Sequence, residues 1–250
     1  VTYISSDAFE DCNISGEDRL TIYGYADTEA EAHAQEQGID FVALDLTGNL
    51  LRYNEERDTY YFYENGKYSA TKTGLFYIDS WESWVYIENG EWITDKRDFV
   101  EYDGGKFLVV GGLVESGISG LQLFGDNFYF LANGQLQEHY TGLALYDGEW
   151  FYVENGVLAI DFAGVKDYDT SKFLVVMGRI QYEYSGLYYN EADAKWYYIS
   201  GGQVQTDYTG LATHDGAWFY IVDGVLDTSY SGTVTYDGAE FTVANGQVVF

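Results

Sequence analysis

A pattern of 21–26 residues recurs nine times between residue 47 and residue 250. Its clearest copies are TGLALYDGEWFYVENGVLAIDF at 141–162 and TGLATHDGAWFYIVDGVLDTSY at 209–230. The units begin near Thr47, Thr73, Asp98, Ser119, Thr141, Ala163, Ser185, Thr209 and Ser231. A fixed short period is typical of repeat architectures, in which each unit packs mainly on its neighbours.

Each unit predicts a β-hairpin followed by a second turn. A short alternating segment leads to a turn such as Asp147-Gly148, then to an aromatic triplet such as Trp150-Phe151-Tyr152, and then to Asn-Gly or Asp-Gly. Because strand side chains alternate, Trp150 and Tyr152 share one face and Phe151 lies on the other, so both faces are apolar. A single hairpin is marginal in water, and stacking would cover these faces. The sequence therefore predicts an all-β solenoid of about nine hairpins.

The triplets also follow a longer period of about three units. The aliphatic triplets Phe107-Leu108-Val109, Phe173-Leu174-Val175 and Phe241-Thr242-Val243 replace the Trp/Tyr-rich version in units three, six and nine. Two interpretations explain this period of roughly 66 residues. Either about three hairpins complete one turn of the solenoid, or a three-hairpin ancestor was duplicated.

Residues 1–46 fall outside the repeat and are predicted to form an N-terminal cap, with the hairpin domain at 47–250. In DTEAEAHAQEQG at 27–38, Thr28 and Glu31 indicate a capping box and Gly38 a stop, which predicts one short helix. Such a cap would shield the open end of the stack. Because Val249-Phe250 interrupts a unit, the chain is expected to be linked to further modules in a longer surface protein.

The charge and cysteine content exclude several classes of partner. With 41 acidic and 12 basic residues the net charge is −29, which disfavours nucleic acid and anionic membranes and leaves neutral or cationic ligands. Cys12 is the single cysteine, and no Cys/His cluster has zinc spacing. No apolar run reaches the ~18 residues of a membrane span. Residues 1–7 lack the basic start of a signal peptide, so a secreted chain would have lost its signal.

The order Thr-Gly, Asp-Gly, Trp-Phe-Tyr, Asn-Gly resembles the cell-wall-binding and glucan-binding repeats of Gram-positive surface proteins, the group that includes choline-binding repeats. The resemblance covers roughly 47–250. It implies a left-handed solenoid whose ligands lodge between neighbouring repeats against aromatic rings. The family's choline site would need an aromatic residue directly after the opening glycine. This sequence has leucine there instead, at Leu75, Leu121, Leu143, Leu187 and Leu211.

That departure favours sugar binding over choline binding. The Gly-Leu form of the repeat looks like repeats on surface proteins of gut clostridia, including starch-adherence proteins. The resemblance therefore implies a secreted or cell-surface, non-catalytic carbohydrate-binding module for a neutral polysaccharide, with starch or another α-glucan first.

Sugars present apolar ring faces and a rim of hydroxyl groups, so an exposed aromatic ring beside carboxylates or amides is the expected site. Unit two breaks the pattern with DSWESWVYIENGEW, which places Trp81 in a hairpin turn and Trp92 just after the second turn. Exposed tryptophans on loops are unusual, so unit two is predicted to hold a principal site. The candidate ligand-binding residues are Trp81, Trp92, Trp84, Tyr86, Asp79, Glu82, Glu91, Trp150, Tyr152, Trp196, Trp218 and Tyr220. Packing between units is the alternative role for the repeated tryptophans, and loop packing is the alternative for Trp81 and Trp92.

Catalysis and metal binding are not predicted. A glycosidase needs two carboxylates in opposed environments, and a chain this acidic contains many chance pairs. DYDTS at 167–171 and NEADA at 190–194 are candidate calcium loops, but neither is a complete EF-hand loop, and no cofactor is predicted. His33, His139 and His214 lie apart, without Ser or Cys partners at a recognised spacing. Two other classes remain open: a cell-wall module that binds teichoic acid or peptidoglycan or acts as a spacer, and a protein-adhesion module.

Overall fold

Strands make up most of the described chain. The structure, a computed structural model, describes residues 20–249 together with Ser5 and Phe9. Within these residues one α-helix, α1, spans Glu29–Glu36, and a 3₁₀-helix spans Asp79–Trp81. The strands are β1 (Thr21–Gly24), β2 (Asp40–Ala43), β3 (Asn49–Asn54), β4 (Thr59–Glu64), β5 (Lys67–Tyr68), β6 (Gly74–Ile78), β7 (Ser83–Glu88), β8 (Glu91–Trp92), β9 (Arg97–Tyr102), β10 (Gly105–Val110), β11 (Leu113–Val114), β12 (Gly120–Phe124), β13 (Asn127–Ala132), β14 (Gln135–Leu136), β15 (Gly142–Tyr146), β16 (Glu149–Glu154), β17 (Val157–Leu158), β18 (Ala163–Tyr168), β19 (Ser171–Val176), β20 (Arg179–Ile180), β21 (Gly186–Asn190), β22 (Lys195–Ser200), β23 (Gln203–Val204), β24 (Gly210–His214), β25 (Ala217–Val222), β26 (Val225–Leu226), β27 (Gly232–Tyr236), β28 (Ala239–Ala244) and β29 (Gln247–Val249). The predicted all-β class is confirmed.

The nine predicted hairpins are present, and each is followed by a short strand. Hairpins 1 to 9 are β3–β4, β6–β7, β9–β10, β12–β13, β15–β16, β18–β19, β21–β22, β24–β25 and β27–β28. In hairpin 5, Asp147-Gly148 has φ values of 49° and 80°, and Asn155-Gly156 has 51° and 78°. Positive φ at both central residues is the type I′ turn, whose twist matches that of the flanking strands. The number of hairpins per turn stays a prediction.

Within each of the chain's two compact units, the short strand joins a hairpin to the one before it. β17 pairs with β16 of its own hairpin and, through Val157 opposite Tyr129, with β13 of hairpin 4. At the turn before β17, the Gly156 carbonyl accepts the Phe130 N–H at 2.8 Å, and the Gly156 N–H donates to the Tyr140 carbonyl at 2.9 Å. The same pair of bonds recurs at Gly178, Gly202, Gly224 and Gly246. Backbone hydrogen bonds therefore fix the register between hairpins.

Both faces of a hairpin pack on neighbours, as the alternation predicts. In hairpin 5, Trp150 and Tyr152 face hairpin 6, with ring centroids 4.9 Å from Tyr168 and 4.6 Å from Phe162. Phe151 faces the other way and packs in the core shared with hairpin 4. Each hairpin thus covers apolar surface that its neighbour would otherwise expose to water.

In hairpins 3, 6 and 9, the aliphatic triplet is shifted by one residue from the predicted alignment with the Trp/Tyr-rich triplets. Counted from the second-turn glycine, Phe107 stands where hairpin 5 has Phe151, and Lys106 stands where it has Trp150. Lys172 and Glu240 hold the same position in hairpins 6 and 9. The alignment of Phe107 with Trp150 is therefore wrong, because the turn glycine rather than aromatic content sets the register. The three-unit period therefore consists of a charged residue replacing an aromatic one at this position in every third hairpin.

β2 takes the place of a preceding hairpin at the start of the repeats. It pairs in parallel with β1 and, through Val42 opposite Lys67, with β5. The Ala43 N–H donates to the Gly66 carbonyl at 2.8 Å, the bond that a preceding hairpin makes elsewhere. The domain boundary at residue 46 stays a prediction.

Helix α1 begins after Thr28, and Gly38 follows it with φ 65°, as predicted. The predicted capping box is wrong in its contacts. The Thr28 hydroxyl donates to the Tyr25 carbonyl at 2.7 Å, and Glu31 accepts the N–H of Asp27, at 2.8 Å, rather than that of Thr28. The Arg52 guanidinium also binds both carboxylate oxygens of Glu31, so partners other than the Thr28 N–H engage this carboxylate.

The chain forms two compact units. Unit 1 comprises residues 1–118 and 133–135, and unit 2 comprises residues 119–132 and 136–250. The buried core between hairpins 1 and 2 of unit 1 consists of Phe62, Ile78, Val85 and Ile87. In unit 2, one such core between hairpins 5 and 6 consists of Leu143, Tyr152, Val175 and Ile180. Separate small cores between successive hairpins are what a repeat architecture requires.

Met177 occupies a strained position in hairpin 6. It is the first residue of the second turn, with φ 53°, at a place where hairpin 5 has Asn155, and its side chain is 72% exposed. The left-handed conformation costs a residue other than Gly, Asn or Asp about 1–2 kcal/mol. Met177→Asn is therefore expected to raise the free energy of unfolding by about 1 kcal/mol. Chemical denaturation followed by tryptophan fluorescence measures the gain. Met177→Leu, the control, should match the wild type, and an Asn variant of unchanged stability would contradict the strain.

Candidate ligand-binding site

Four aromatic rings form an exposed cluster between hairpins 1 and 2 of unit 1. Trp81 and Trp92 meet edge to face with centroids 5.0 Å apart, and both contact Tyr60, at 5.8 and 5.5 Å. Tyr53 lies 5.1 Å from Tyr60 on the paired strand. Trp81 is 37% exposed and Tyr53 is 50% exposed. These four residues, termed the Trp81 cluster, include the two tryptophans that the sequence predicted for a principal site.

The turn of hairpin 2 brings Trp81 into this cluster. A 3₁₀ turn ends at Trp81, and Glu82 closes it in the left-handed conformation with φ 48°. The Ser83 hydroxyl donates to the Trp81 carbonyl at 2.9 Å. Trp92 is held separately, because its indole N–H donates to the Gly112 carbonyl at 3.1 Å. One hydrogen bond thus fixes the backbone at Trp81, and the other fixes the indole of Trp92.

One carboxylate contacts the cluster, and two more lie in the turn that carries Trp81. Asp58 accepts the Tyr53 hydroxyl at 2.6 Å, and this hydrogen bond raises the pKa of Tyr53. Asp79 lies so close to Gly48 that a side-chain carbon there would sit 2.9 Å from its carboxylate. Glu82 is exposed in the same turn. The predicted acidic residues Asp79 and Glu82 therefore accompany the rings.

Glu91, predicted for the same site, lies on the other face of β8. Successive strand residues point to opposite faces, so Trp92 contacts Tyr60, whereas Glu91 pairs with Tyr61. Burial, then Tyr61 and then Glu91 raise the pKa of Tyr68, which places the Glu91 charge near that ring. The structure thus separates Glu91 from the Trp81 cluster.

A second kind of site recurs between successive hairpins. In unit 1, Trp84 of hairpin 2 and Tyr102 of hairpin 3 have ring centroids 4.6 Å apart. Together with Leu75, Phe107 and Val114 they line a cavity of about 180 Å³. This five-residue arrangement is termed the ring-pair pocket. Its aromatic and aliphatic lining suits an apolar group or a weakly solvated organic cation.

The same five positions recur in unit 2. Between hairpins 4 and 5 they enclose about 70 Å³ and are Leu121, Phe128, Tyr146, Phe151 and Leu158. The corresponding ring pairs between later hairpins are Trp150–Tyr168, Trp196–His214 and Trp218–Tyr236, with centroids 4.9, 4.8 and 5.9 Å apart. The predicted tryptophans are therefore half-buried, each against a ring of the following hairpin.

The leucine after the opening glycine lines the pocket from the inside. The five leucines at this position, Leu75, Leu121, Leu143, Leu187 and Leu211, are at most 3% exposed. An aliphatic side chain thus stands where the resemblance calls for an aromatic wall. The ring-pair pocket has aromatic walls only at the remaining positions.

The remaining predicted residues lie deeper between hairpins. Tyr86 lies under the Lys96 ammonium, 4.9 Å from its ring centroid. Tyr152 is 3% exposed, and Tyr220 lies 4.5 Å from the ring of Tyr230. Tyr53 and Tyr60 were missed by the sequence analysis, as were the tyrosines of the ring pairs. For those of the ring pairs a signal existed, because Tyr102, Tyr146, Tyr168 and Tyr236 directly precede the Asp of a first turn.

Between hairpins 6 and 7 a polar network replaces the ring pair. Asn190 is 5% exposed, accepts the Val165 N–H at 3.2 Å and donates to Asp193 at 2.7 Å. The Tyr197 hydroxyl donates to Asp193 at 2.6 Å. Burial and this hydrogen bond raise the pKa of Tyr197 to about 12, and the same bond lowers the pKa of Asp193.

Each candidate calcium loop has one carboxylate engaged by a protein group. Asp167 binds Lys172, and Asp193 belongs to the network with Asn190 and Tyr197. In the described part of the chain, no three His, Cys, Asp or Glu side chains converge as a metal site would require. His214 packs on Trp196, with ring centroids 4.8 Å apart. No described helix has the length and apolar content to cross a bilayer.

The comparisons with known proteins agree with the resemblance predicted from the sequence. The family described as the choline-binding repeat matches residues 140–159, 183–205 and 207–227. These segments contain hairpins 5, 7 and 8, all with a tryptophan at the ring-pair position. The predicted resemblance to choline-binding-type repeats is therefore confirmed for these hairpins. No curated protein matches the chain in sequence.

Several solved structures are similar to this chain. Choline binding protein F from Streptococcus pneumoniae is 18% identical, with a TM-score of 0.37, over 84% of this chain and 75% of that one. The modular autolysin LytC from Streptococcus pneumoniae, in complex with a synthetic peptidoglycan ligand, is 17% identical, with a TM-score of 0.36, over 80% and 48%. An alternansucrase in complex with isomaltotriose is 15% identical, with a TM-score of 0.27, over 66% and 13%. The match thus spans less than half of the last two chains.

Proposed function

We propose that this chain, whose hairpins 5, 7 and 8 are choline-binding-type repeats, is a secreted or cell-surface module that binds a neutral glucan without catalysis. The observation that carries the proposal is the Trp81 cluster, which combines exposed indole and phenol rings with flanking carboxylates. Starch is the first candidate ligand, on the resemblance of the Gly-Leu repeats to those of starch-adherence proteins.

The geometry of the Trp81 cluster suits a sugar. The two indoles and Tyr60 meet edge to face, so their ring planes differ in direction and form an angled surface rather than one flat plate. The apolar faces of sugar rings pack on such surfaces, while hydroxyl groups donate to carboxylate oxygens. Asp79 and Glu82 supply acceptors of this kind. The net charge of −29 favours an uncharged polymer over an anionic one.

The ring-pair pockets favour a second candidate, a cell-wall polymer that carries an organic cation. Each joins rings from two hairpins in a strongly acidic chain, and cations are attracted to aromatic faces. Retention on a choline-derivatised matrix without retention by starch would favour this candidate. Retention by starch alone would favour the glucan.

Hydrogen bonds from Tyr197 and Ser229 lower the pKa of Asp193 and Asp227, respectively. A glycosidase general acid needs a raised pKa so that it holds a proton at neutral pH, so neither of these two carboxylates suits that role. Weak single sites still serve a polymer ligand, because several contacts on one chain raise the effective concentration.

Trp81→Ala is expected to weaken maltoheptaose binding about tenfold, because it removes the exposed indole face of the cluster. Isothermal titration gives the dissociation constant, and native gels cast with starch, dextran, xylan or no polymer give the ligand class. Trp81→Phe, which keeps a ring, is the matched control and should lose less. Full affinity in Trp81→Ala would overturn the site, and equal mobility in every gel would overturn the glucan proposal.

A further inference from the structure

Unit 1 holds a polar groove between helix α1 and hairpin 1, which borders the Trp81 cluster at Tyr53. Two adjoining cavities of about 470 and 410 Å³ share the lining residues Glu31, Gln35, Asn54, Tyr61 and Tyr63. Both lie within the range of about 300–1,000 Å³ that is usual for small-molecule sites. This set of shared residues, with Arg57 and Tyr68 from the second cavity, is termed the cap groove.

A network of ion pairs holds the base of the cap groove. Arg52 binds both carboxylate oxygens of Glu31 and lies 2.6 Å from Asp27. Its guanidinium also lies over the Tyr63 ring, 5.1 Å from the centroid. Glu31 is 4% exposed, so its pair with Arg52 is largely shielded from water, whereas the Asp27 carboxylate is exposed. The base is therefore ordered before a ligand enters.

Three tyrosine rings supply the aromatic wall of the cap groove. The Tyr68 ring lies 5.0 Å from Tyr61 and 5.8 Å from Tyr63. Tyr68 is 37% exposed, so part of its surface is open to contact. The wall resembles the Trp81 cluster in offering several rings at an angle to one another.

The polar side chains of the cap groove have hydrogen-bonding capacity to spare. Asn54 accepts the Arg57 N–H at 2.9 Å through its Oδ1, which leaves its amide N–H groups available. Within the described residues, neither the Gln35 amide nor the Arg57 guanidinium makes a side-chain hydrogen bond, and both residues are exposed. Amide and guanidinium groups beside aromatic rings can bind the hydroxyl rim and the apolar face of a sugar together.

The charges of the groove disfavour an anionic ligand. Arg52 is neutralised by Glu31 and Asp27, and Lys67 pairs with Asp40 at 3.5 Å. Arg57 is followed in sequence by Asp58 and preceded by the carboxylates of residues 55 and 56. An anionic ligand would meet these carboxylates, and a purely apolar one would leave the amides without partners.

We propose that the cap groove is a second saccharide site, distinct from the Trp81 cluster, that takes an uncharged oligosaccharide through Tyr61, Tyr68, Gln35 and Arg57. This inference rests on the proposed function for its ligand class. It extends that function from the repeats to the N-terminal part of the chain, where sugar contacts would add to those of the hairpins on one polymer.

The two sites can be observed separately in one titration by NMR. In protein labelled at tyrosine rings and tryptophan indoles, and assigned with Tyr61→Phe, Tyr68→Phe and Trp81→Phe, maltoheptaose should shift the signals of Tyr61 and Tyr68 as well as that of Trp81. In the double variant Gln35→Ala/Arg57→Ala, the tyrosine shifts should require at least tenfold more sugar, while the Trp81 response stays unchanged. In Trp81→Ala the tyrosine response should remain.

The possible results separate the two proposals. A Trp81 response without any from Tyr61 and Tyr68 overturns the cap groove and leaves the glucan function standing. Tyrosine responses without one from Trp81 support the groove and overturn the Trp81 site. If maltoheptaose fails but xylohexaose shifts the tyrosines, the groove stands and the α-glucan assignment falls. If neither sugar shifts the signals at either site, both proposals are overturned. An unchanged tyrosine response in Gln35→Ala/Arg57→Ala overturns the groove.

Discussion

Gly156→Ala is expected to lower the free energy of unfolding by about 3 kcal/mol, a large effect for one methyl group. Gly156 has φ 78°, and a Cβ placed on it would lie 2.7 Å from the Gln137 carbonyl oxygen. Its N–H and carbonyl both carry hydrogen bonds between hairpins 4 and 5. The added methyl group therefore forces the residue out of a left-handed turn and also separates two hairpins. Urea denaturation followed by tryptophan fluorescence measures the loss.

Gly148→Ala is the matched control, because Gly148 lies in the first turn of the same hairpin with φ 80° and nothing within 4 Å of an added Cβ. It should lose only the cost of the left-handed conformation, about 1 kcal/mol. The difference between the two variants isolates the close approach of one hairpin to the next. Equal losses would contradict the view that the second-turn glycine is required by contact between hairpins.

The hairpins could be predicted because their signals are local. Asp147-Gly148 and Asn155-Gly156 specify type I′ turns almost by composition, and the alternation of Trp150, Phe151 and Tyr152 predicts two apolar faces. Neither inference requires knowledge of the rest of the chain. Aligning the hairpins on the second-turn glycine also gives the correct register. Aligning them on the aromatic triplets does not, because it misses that Lys106 and Lys172 stand at the position of Trp150.

The composition of the sites could be predicted less well, because it depends on contacts between hairpins. Trp81 and Trp92 stood out as exceptions to the repeat, whereas Tyr60 lies in the aromatic run YYFY, where nothing distinguishes it from its neighbours. Glu91 was placed with them by sequence proximity. Pairing of β8 with β4 instead turns it to the opposite face. One residue of register decides which side chains meet.

Thr28 and Glu31 illustrate the same limit on the helix. The sequence spacing permits a capping box, but Arg52, 21 residues further on, engages the Glu31 carboxylate. A partner so far along the chain leaves no local signal. The helix itself was predictable from its ends, while the use of its buried carboxylate was not.

Arg52→Ala is expected to be the most destabilising change to unit 1, with a loss of about 3 kcal/mol in the free energy of unfolding. The variant leaves Glu31, whose side chain is 5% exposed, without its cationic partner, and removes the guanidinium from the Tyr63 ring. Burial lowers the pKa of Arg52, but its bonds to Glu31 raise it by more, so the guanidinium stays charged. Thermal and chemical denaturation of the full chain measure the loss.

Two further variants test whether the loss comes from the Glu31 carboxylate that Arg52→Ala leaves unpaired. Lys67→Ala removes an ion pair in the same unit that is exposed, with side-chain exposures of 54% for Lys67 and 30% for Asp40, and should cost under about 1 kcal/mol. Arg52→Ala/Glu31→Ala removes both charges of the buried pair and should recover part of the stability lost by Arg52→Ala, because no unpaired charge remains. A double variant no more stable than Arg52→Ala would instead assign the loss to packing of the Arg52 stem on Tyr63. In that case packing of Arg52 on Tyr63, and not the Arg52–Glu31 ion pair, would order the base of the cap groove.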